Sequence, residues 1–169
     1  MTLISVRDPF LPTVHDLIGA RLRPLTEEEA ARLGTRCAAI DPYRRFGQSA
    51  EALTGYLTRP DHSLFRFGVE IDADLIGIVA VRSPWLRGPF LEMLAVLPEA
   101  QGKGIGRQAV DWVATEASRI AANLWTTVSD FNGSARGFYR RLGFSEMSEL
   151  PGLIADGTTE ILLRRRLRQ

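Results

Sequence analysis

The spacing of apolar residues changes several times along this chain, and each change marks an element. Ala20 to Pro24 reads as a short first strand. Thr26 followed by Glu29 has the spacing of a capping box, so a helix opens there and runs to about Ala39. Ser49, with Ala52, Leu53, Tyr56 and Leu57 behind it, predicts a second short helix ended by Pro60. Phe65, Phe67, Val69 and Ile71 alternate with Leu64, Arg66, Gly68 and Glu70, the period of a half-buried strand. Asp72-Ala73-Asp74 is turn-like, and Leu75 to Val81 is apolar on both faces, as in a central strand. Phe90 to Leu97 is a further strand. A helix follows from about Gly104 to Ala121, with Ile105, Ala109, Val113, Ala117 and Ile120 on one stripe. Leu124 to Val128 reads as a strand and Ser134 to Leu142 as a short helix stopped by Gly143. Phe144 to Leu150 and Thr158 to Leu167 close the sheet. Pro9 and Pro12 make residues 1 to about 16 an irregular arm, whose apolar Leu3, Ile4, Val6, Phe10 and Leu11 need a surface to pack on.

This order of elements is not the strict alternation of a doubly wound fold. It predicts an α/β (α+β) domain built on a sheet of mixed direction. No repeat or linker divides the chain, so the expected organisation is an arm over 1–18 and a single domain over 19–169.

Composition removes several function classes. Lys+Arg 21 against Asp+Glu 20 leaves a net charge of +1, which gives no reason to expect nucleic acid or an anionic membrane as partner. The run Arg164 to Arg168 could attract nucleic acid, but reads more simply as a terminal strand carrying solvated arginines. Cys37 is the only cysteine, so no internal disulfide or cysteine-held zinc is expected, and it reads as a small buried apolar residue. No metal is expected. No apolar run approaches a membrane span, and Arg7, Asp8, Pro9 and Pro12 interrupt the start as no secretory signal would be, so a cytoplasmic soluble protein is expected. His15 and His62 read as loop residues away from the motifs below.

The stretch PEAQGKGIGR (98–107) lies between a strand and a helix, where glycines let backbone N–H groups approach a phosphate. A P-loop requires Ser or Thr after the lysine, whereas Gly104 follows Lys103. A dinucleotide fingerprint begun at Gly102 meets Arg107 where its third glycine belongs. Gln101-Gly102-Lys103-Gly104-Ile105-Gly106 does fit [RQ]-x-x-G-x-[GA], and Asn132 to Phe144 reads NGSARGFYRRLGF. On these two segments the chain resembles the GCN5-related N-acetyltransferase (GNAT) family over about residues 19 to 167. The first would be its coenzyme A pyrophosphate loop and the second its N-x-x-A-x-x-F-Y-x-x-x-G-F signature.

The resemblance implies a mixed, mostly antiparallel sheet with a splayed central strand flanked by helices. It also implies direct transfer of an acetyl group from acetyl-CoA to a primary amine. Gln101, Gly102, Lys103, Gly104, Ile105, Gly106 and Arg107 would then hold the pyrophosphate. Leu94 would offer its N–H to the developing oxyanion, and pantetheine would pair with the strand at Leu94 and Val96. Tyr139 matches the general acid that protonates the coenzyme sulfur; its alternative is a core tyrosine. Asn132 and Ala135 would contact the coenzyme, Asn132 having a helix cap as its alternative. Glu92 is the single charge in an apolar strand, placed by simple alternation on one face with Phe90 and Leu94. Desolvation there would make it a base; its alternatives are an ion pair with an arginine or a solvent-facing position. Phe138 and Phe144 are expected in the core, and Gly137, mid-helix, would be explained by close approach to the coenzyme or the sheet.

The acceptor is open between a small molecule and a protein amine. Arg44, Arg45 and Arg87 hint at an anionic acceptor, with Tyr43 and Trp85 as walls. A homodimer is left open. A non-catalytic acyl-CoA-binding sensor of the same fold is the alternative to an enzyme.

Overall fold

A computed structural model describes residues 9–167. The expectations for residues 1–8 and for Arg168 lie outside them. Eight strands form one sheet in the order β1-β2-β3-β4-β5-β6-β8-β7. They are β1 (His15–Leu17), β2 (Ala20–Arg23), β3 (Leu64–Ile71), β4 (Asp74–Arg82), β5 (Phe90–Val96), β6 (Asn123–Ser129), β7 (Phe144–Pro151) and β8 (Thr159–Arg166). Every neighbouring pair is antiparallel except β5–β6. The helices are α1 (Glu27–Ala38), α2 (Ala50–Thr58), α3 (Ile105–Ser118) and α4 (Gly133–Arg141). This is the mixed α/β class that the order of elements predicts.

Local chemistry accounts for most boundaries. The Thr26 side chain accepts from the Glu29 N–H at 3.2 Å while Glu29 accepts from the Thr26 N–H at 3.0 Å, a complete capping box. The β3–β4 hairpin turns at Asp72 and Ala73, both at positive φ (48° and 68°). β4 is buried on both faces. Val79 and Val81 join Phe67, Val110, Val113 and Leu124 on the α3 side, while Ile78 and Ala80 join Leu33, Cys37 and Leu53 beneath α1 and α2. Each such Val, Leu, Ile or Phe side chain removed from water contributes about 1.5–3 kcal/mol, so a two-sided strand is the stable centre of the sheet. At Gly34 an added Cβ would lie 2.6 Å from the Thr54 hydroxyl oxygen, so this glycine lets α1 and α2 touch.

Several expectations change. His15–Leu17 is a strand, paired with β2 across Gly19 (φ 76°), and the His15 ring packs 4.8 Å from Trp112. Phe10 is fully buried against Phe65 and Trp112, so this part of the arm is part of the core. β3 is covered on both faces rather than one: Gly68 and Glu70 are buried, and Glu70 is held by Arg21 and Arg23. α3 stops at Ser118; the chain tightens through Ile120 N–H to Ala117 O (3.1 Å), leaving Ile120 46% exposed. Phe144 is buried, but Phe138 is only partly so and lines a cleft. Around Gly137 an added Cβ would meet only the flexible end of Arg141, so nothing in the structure explains that glycine. No helix among the described residues is long and apolar enough to cross a membrane.

Candidate active site

The site is organised by a discontinuity in β5. β5 pairs with β6 only at Phe90–Trp125 and Leu91–Thr126, and beyond these residues the two strands part. Opposite β4, Glu92 is left over between the pairs Val81–Leu91 and Ala80–Met93, a bulge. One extra residue reverses the side to which every later backbone group points. Before it, Pro89 O accepts from Trp125 N–H (3.0 Å) and Leu91 O from the Thr126 hydroxyl (2.9 Å), so odd-numbered residues face β6. After it, Leu97 N–H donates to Ile76 O (2.8 Å), toward β4, and alternation turns Leu94 and Val96 to the gap. The Gln101 side chain reaches this edge and donates to Val96 O at 2.8 Å.

The bulge also separates Glu92 from Leu94. Met93 and Ala95 pack beneath α1 and α2, while Leu91, Leu94 and Val96 pack toward α3. Glu92 lies beside Tyr56 of α2 instead of sharing a face with Leu94. Nor is it a lone charge. Arg82 grips both its oxygens, the second contact at 3.1 Å, and continues to Asp61 (3.1 Å) and the Ser63 hydroxyl (2.8 Å). The carboxylates drive the Arg82 pKa further above its ordinary value.

Gly102 and Gly104 stand at φ 74° and 77°, the left-handed region that favours glycine, and a Cβ on either would project into open space. The first helical bond of α3 is Gln108 N–H to Gly104 O (3.1 Å). Among the described residues no backbone acceptor meets the N–H groups of Gly102 to Arg107. This is a concave array of donors at a helix N-terminus, the environment an anion requires. Ile105 is 5% exposed, so its side chain anchors the helix and only its N–H belongs to the array. Lys103 is exposed and lies outside the cleft lining; Arg107 lines the cleft and reaches Asp111 at 3.6 Å. Gly106 faces α4, an added Cβ there falling 3.4 Å from the Phe138 ring, at van der Waals contact.

These donors open on a cleft of about 820 Å³, whose far wall includes Phe131, Asn132, Ala135, Phe138 and Tyr139. A second cavity of about 320 Å³ lies on the other side of β5, walled by Tyr43, Phe46, Tyr56 and Ile154 and by the strand ends carrying Glu92, Thr126, Ser129 and Glu160. Leu94, Asn132, Ala135 and Tyr139 line both spaces, so the two meet there.

Tyr139 is 7% exposed and packed between the rings of Phe138 (5.1 Å) and Phe144 (5.3 Å). Burial pushes its hydroxyl up to about 12, against a smaller opposite pull from Thr126, so it holds its proton at neutral pH. Asn132 caps α4, its Oδ1 accepting from Ala135 N–H at 3.1 Å; the capping alternative is realised, and the amide nitrogen remains as a donor at the junction.

The smaller cavity also holds residues that the sequence reading passed over. Glu160 is 5% exposed and accepts from the Ser129 hydroxyl at 2.6 Å. Burial raises its pKa, and no cation pairs with it among the described residues. The signal was available: Glu160 is the single charge at the head of the apolar run Ile161 to Leu163, the same mark that singled out Glu92. The Tyr56 hydroxyl is buried without a hydrogen-bond partner, and burial first, then the Glu92 charge, pushes its pKa up. The expectation of an anionic acceptor is not met by the lining. Arg44 pairs with Asp41 (3.2 Å), Arg45 lies 3.6 Å over the Phe131 ring in the larger cleft, and Arg87 and Trp85 line a separate groove. Among the described residues no Lys, Arg or His lines the smaller cavity.

Residues 27–144 match the acetyltransferase (GNAT) family model, and the chain belongs to that family. A streptothricin acetyltransferase of Streptomyces lavendulae is 40% identical over 79 residues, 46% of this chain and 42% of that protein. The chain thus matches less than half the length of this curated relative. The crystal structure of a nourseothricin acetyltransferase superposes with a TM-score of 0.58 at 30% identity, covering 65% of this chain and 69% of that one. A GNAT-family structure from Desulfovibrio desulfuricans has a TM-score of 0.71 at 19% identity, covering 88% and 98%, and speaks to the fold alone.

Proposed function

We propose that the protein transfers an acetyl group from acetyl-CoA to a primary amine by direct attack. One observation carries this reading: a cleft lined with unpartnered N–H groups meets a carboxylate- and phenol-lined cavity at Leu94 and Tyr139. The donors of Gly102 to Arg107 suit a pyrophosphate, and a side chain at Gly102 or Gly104 would project from the cradle they form. When bound, acetyl-CoA supplies a thioester whose acetyl carbon bonds to the neutral amine as the carbon–sulfur bond breaks.

The chain's own groups would divide the remaining work. Leu94 N–H, turned into the gap by the bulge, is the donor for negative charge on the acetyl oxygen. Tyr139 Oη holds the proton that the departing sulfur takes, and regains one from the attacking nitrogen, which has a proton to lose. Val96 and the Asn132 amide are the polar groups along the path between the two spaces. Two carboxylates, Glu92 and Glu160, reach the cavity as candidates for the proton of the incoming ammonium. The cavity's size suits a small amine or a single amine-bearing side chain, and streptothricin belongs in any acceptor panel because a relative is named for it.

Thiol release from acetyl-CoA is the test, with streptothricin, spermidine and a lysine peptide as acceptors and Tyr139→Phe beside wild type. Amine-dependent release that the variant loses supports the proposal. Coenzyme binding without release on any amine would instead indicate the sensor.

A further inference from the structure

Of the two carboxylates in the smaller cavity, only one is free to meet a cation. Glu92 has both oxygens on Arg82, a cation it shares with Asp61, so it already has a counter-charge in direct contact. Glu160 accepts from the Ser129 hydroxyl and, among the described residues, has no cation beside it, at 5% exposure. A buried carboxylate without a counter-charge is costly, and such groups persist where a ligand completes them. Its position follows from register: Glu160 stands directly opposite Ser129 across β6–β8, at the end of β6 beyond its divergence from β5. The surrounding walls include the rings of Tyr43, Phe46 and Tyr56, a residue class that attracts cations.

We propose that Glu160 is the group on which the acceptor docks as an ammonium ion and to which it gives up its proton. The inference rests on the acetyl-transfer reading. The step balances as an acid–base exchange: R–NH3⁺ and the Glu160 carboxylate become R–NH2 and the Glu160 carboxylic acid, which later loses that proton to solvent. No metal or oxidant is needed. Burial favours the protonated carboxyl, with the Asp130 charge acting in the same direction and the Ser129 and Thr127 hydroxyls opposing. The other titratable groups lining the cavity are Tyr43, Tyr56, Tyr139 and the Arg82-bound Glu92. The acceptor class is therefore a cationic primary amine, the opposite of what the loop arginines suggested.

The test compares wild type with Glu160→Gln and Glu92→Gln in two measurements: calorimetric binding of spermidine to the protein without coenzyme, and thiol release from pH 6.5 to 9.5. Glu160→Gln is expected to weaken spermidine binding at least tenfold at pH 7. It is expected to slow release by about 10²-fold or more at pH 7, with the deficit narrowing toward pH 9.5 as solvent supplies free amine. The fold is not at risk. A carboxyl whose folded pKa is raised costs stability as pH rises from its unfolded value through its folded value, so Gln should leave the melting temperature equal or higher at pH 7. Unchanged spermidine binding, or a loss of release equal at every pH, would overturn the assignment. So would a pH-dependent loss in Glu92→Gln with none in Glu160→Gln. A wild type inert on every amine overturns the acetyl-transfer reading and this inference together, whereas an active wild type matched by Glu160→Gln overturns only the inference.

Discussion

Substituting Gly104 by valine sets the backbone of the loop against its donors. Gly104 sits at φ 77° as the N-cap of α3, where a non-glycine residue costs about 1–2 kcal/mol and a β-branched one more. Nothing lies within 4 Å of an added Cβ, so no clash adds to that cost. The chain then has two courses. If it keeps the positive φ, stability falls by the strain, about 2–8 °C in melting temperature for a domain of this size. The Cβ then projects from the donor array and obstructs the pyrophosphate. If it relaxes to negative φ, the melting temperature recovers but the N–H groups of Gly104 and Ile105 rotate away. Losing one or two charge-assisted bonds at about 1.5–3 kcal/mol each weakens coenzyme binding by roughly 10- to 10⁴-fold. Calorimetric titration with coenzyme A, beside a thermal melt, reads both courses. A variant with wild-type affinity, whatever its melting temperature, would refute the assignment of this loop to a phosphate.

Tyr139→Phe removes the phenolic donor and keeps the ring between Phe138 and Phe144, so release should fall about 10²- to 10⁴-fold with coenzyme affinity unchanged by calorimetry. Gly34→Val should destabilise the domain by about 1–3 kcal/mol in denaturant unfolding, because its Cβ meets the Thr54 hydroxyl at 2.6 Å and the Thr54 N–H at 3.0 Å. The Glu29 carboxyl is held at about 2 by Arg23, then by the Thr26 N–H, below its ordinary 4.5. Its contribution is therefore complete above pH 4.5 and is lost as pH falls toward 2, so Glu29→Gln should flatten that acid limb of the melting temperature against pH.

The elements that sequence places well are those whose cause is local. The Thr26–Glu29 box, the two-sided apolar run of β4 and the glycines of the Gln101–Gly106 loop each act within a few residues of chain. β1 was missed because three residues beside two prolines carry little pattern, and it exists through pairing with β2 and burial against Trp112. Alternation placed Glu92 on one face with Leu94, and a single bulged residue undoes that parity. Trp85 and Arg87 adjoin β5 in the chain, yet their loop folds onto Trp125 and Asn123, where Gly88 touches the Asn123 carbonyl.

By itself, the sequence determined the class of sheet, the donor loop between β5 and α3, and the Asn132–Phe144 segment that carries Tyr139. The class of sheet follows from periodicity, which short stretches of chain express on their own, and the two segments from their resemblance to the family's motifs. Only the tertiary structure decided the electrostatics of the cavity. Whether a carboxylate has a counter-charge depends on which strands lie beside it: β4 brings Arg82 to Glu92, whereas β6 brings Glu160 hydroxyls, Ser129 foremost. Coulomb interaction depends on distance in space, and register across the sheet sets that distance.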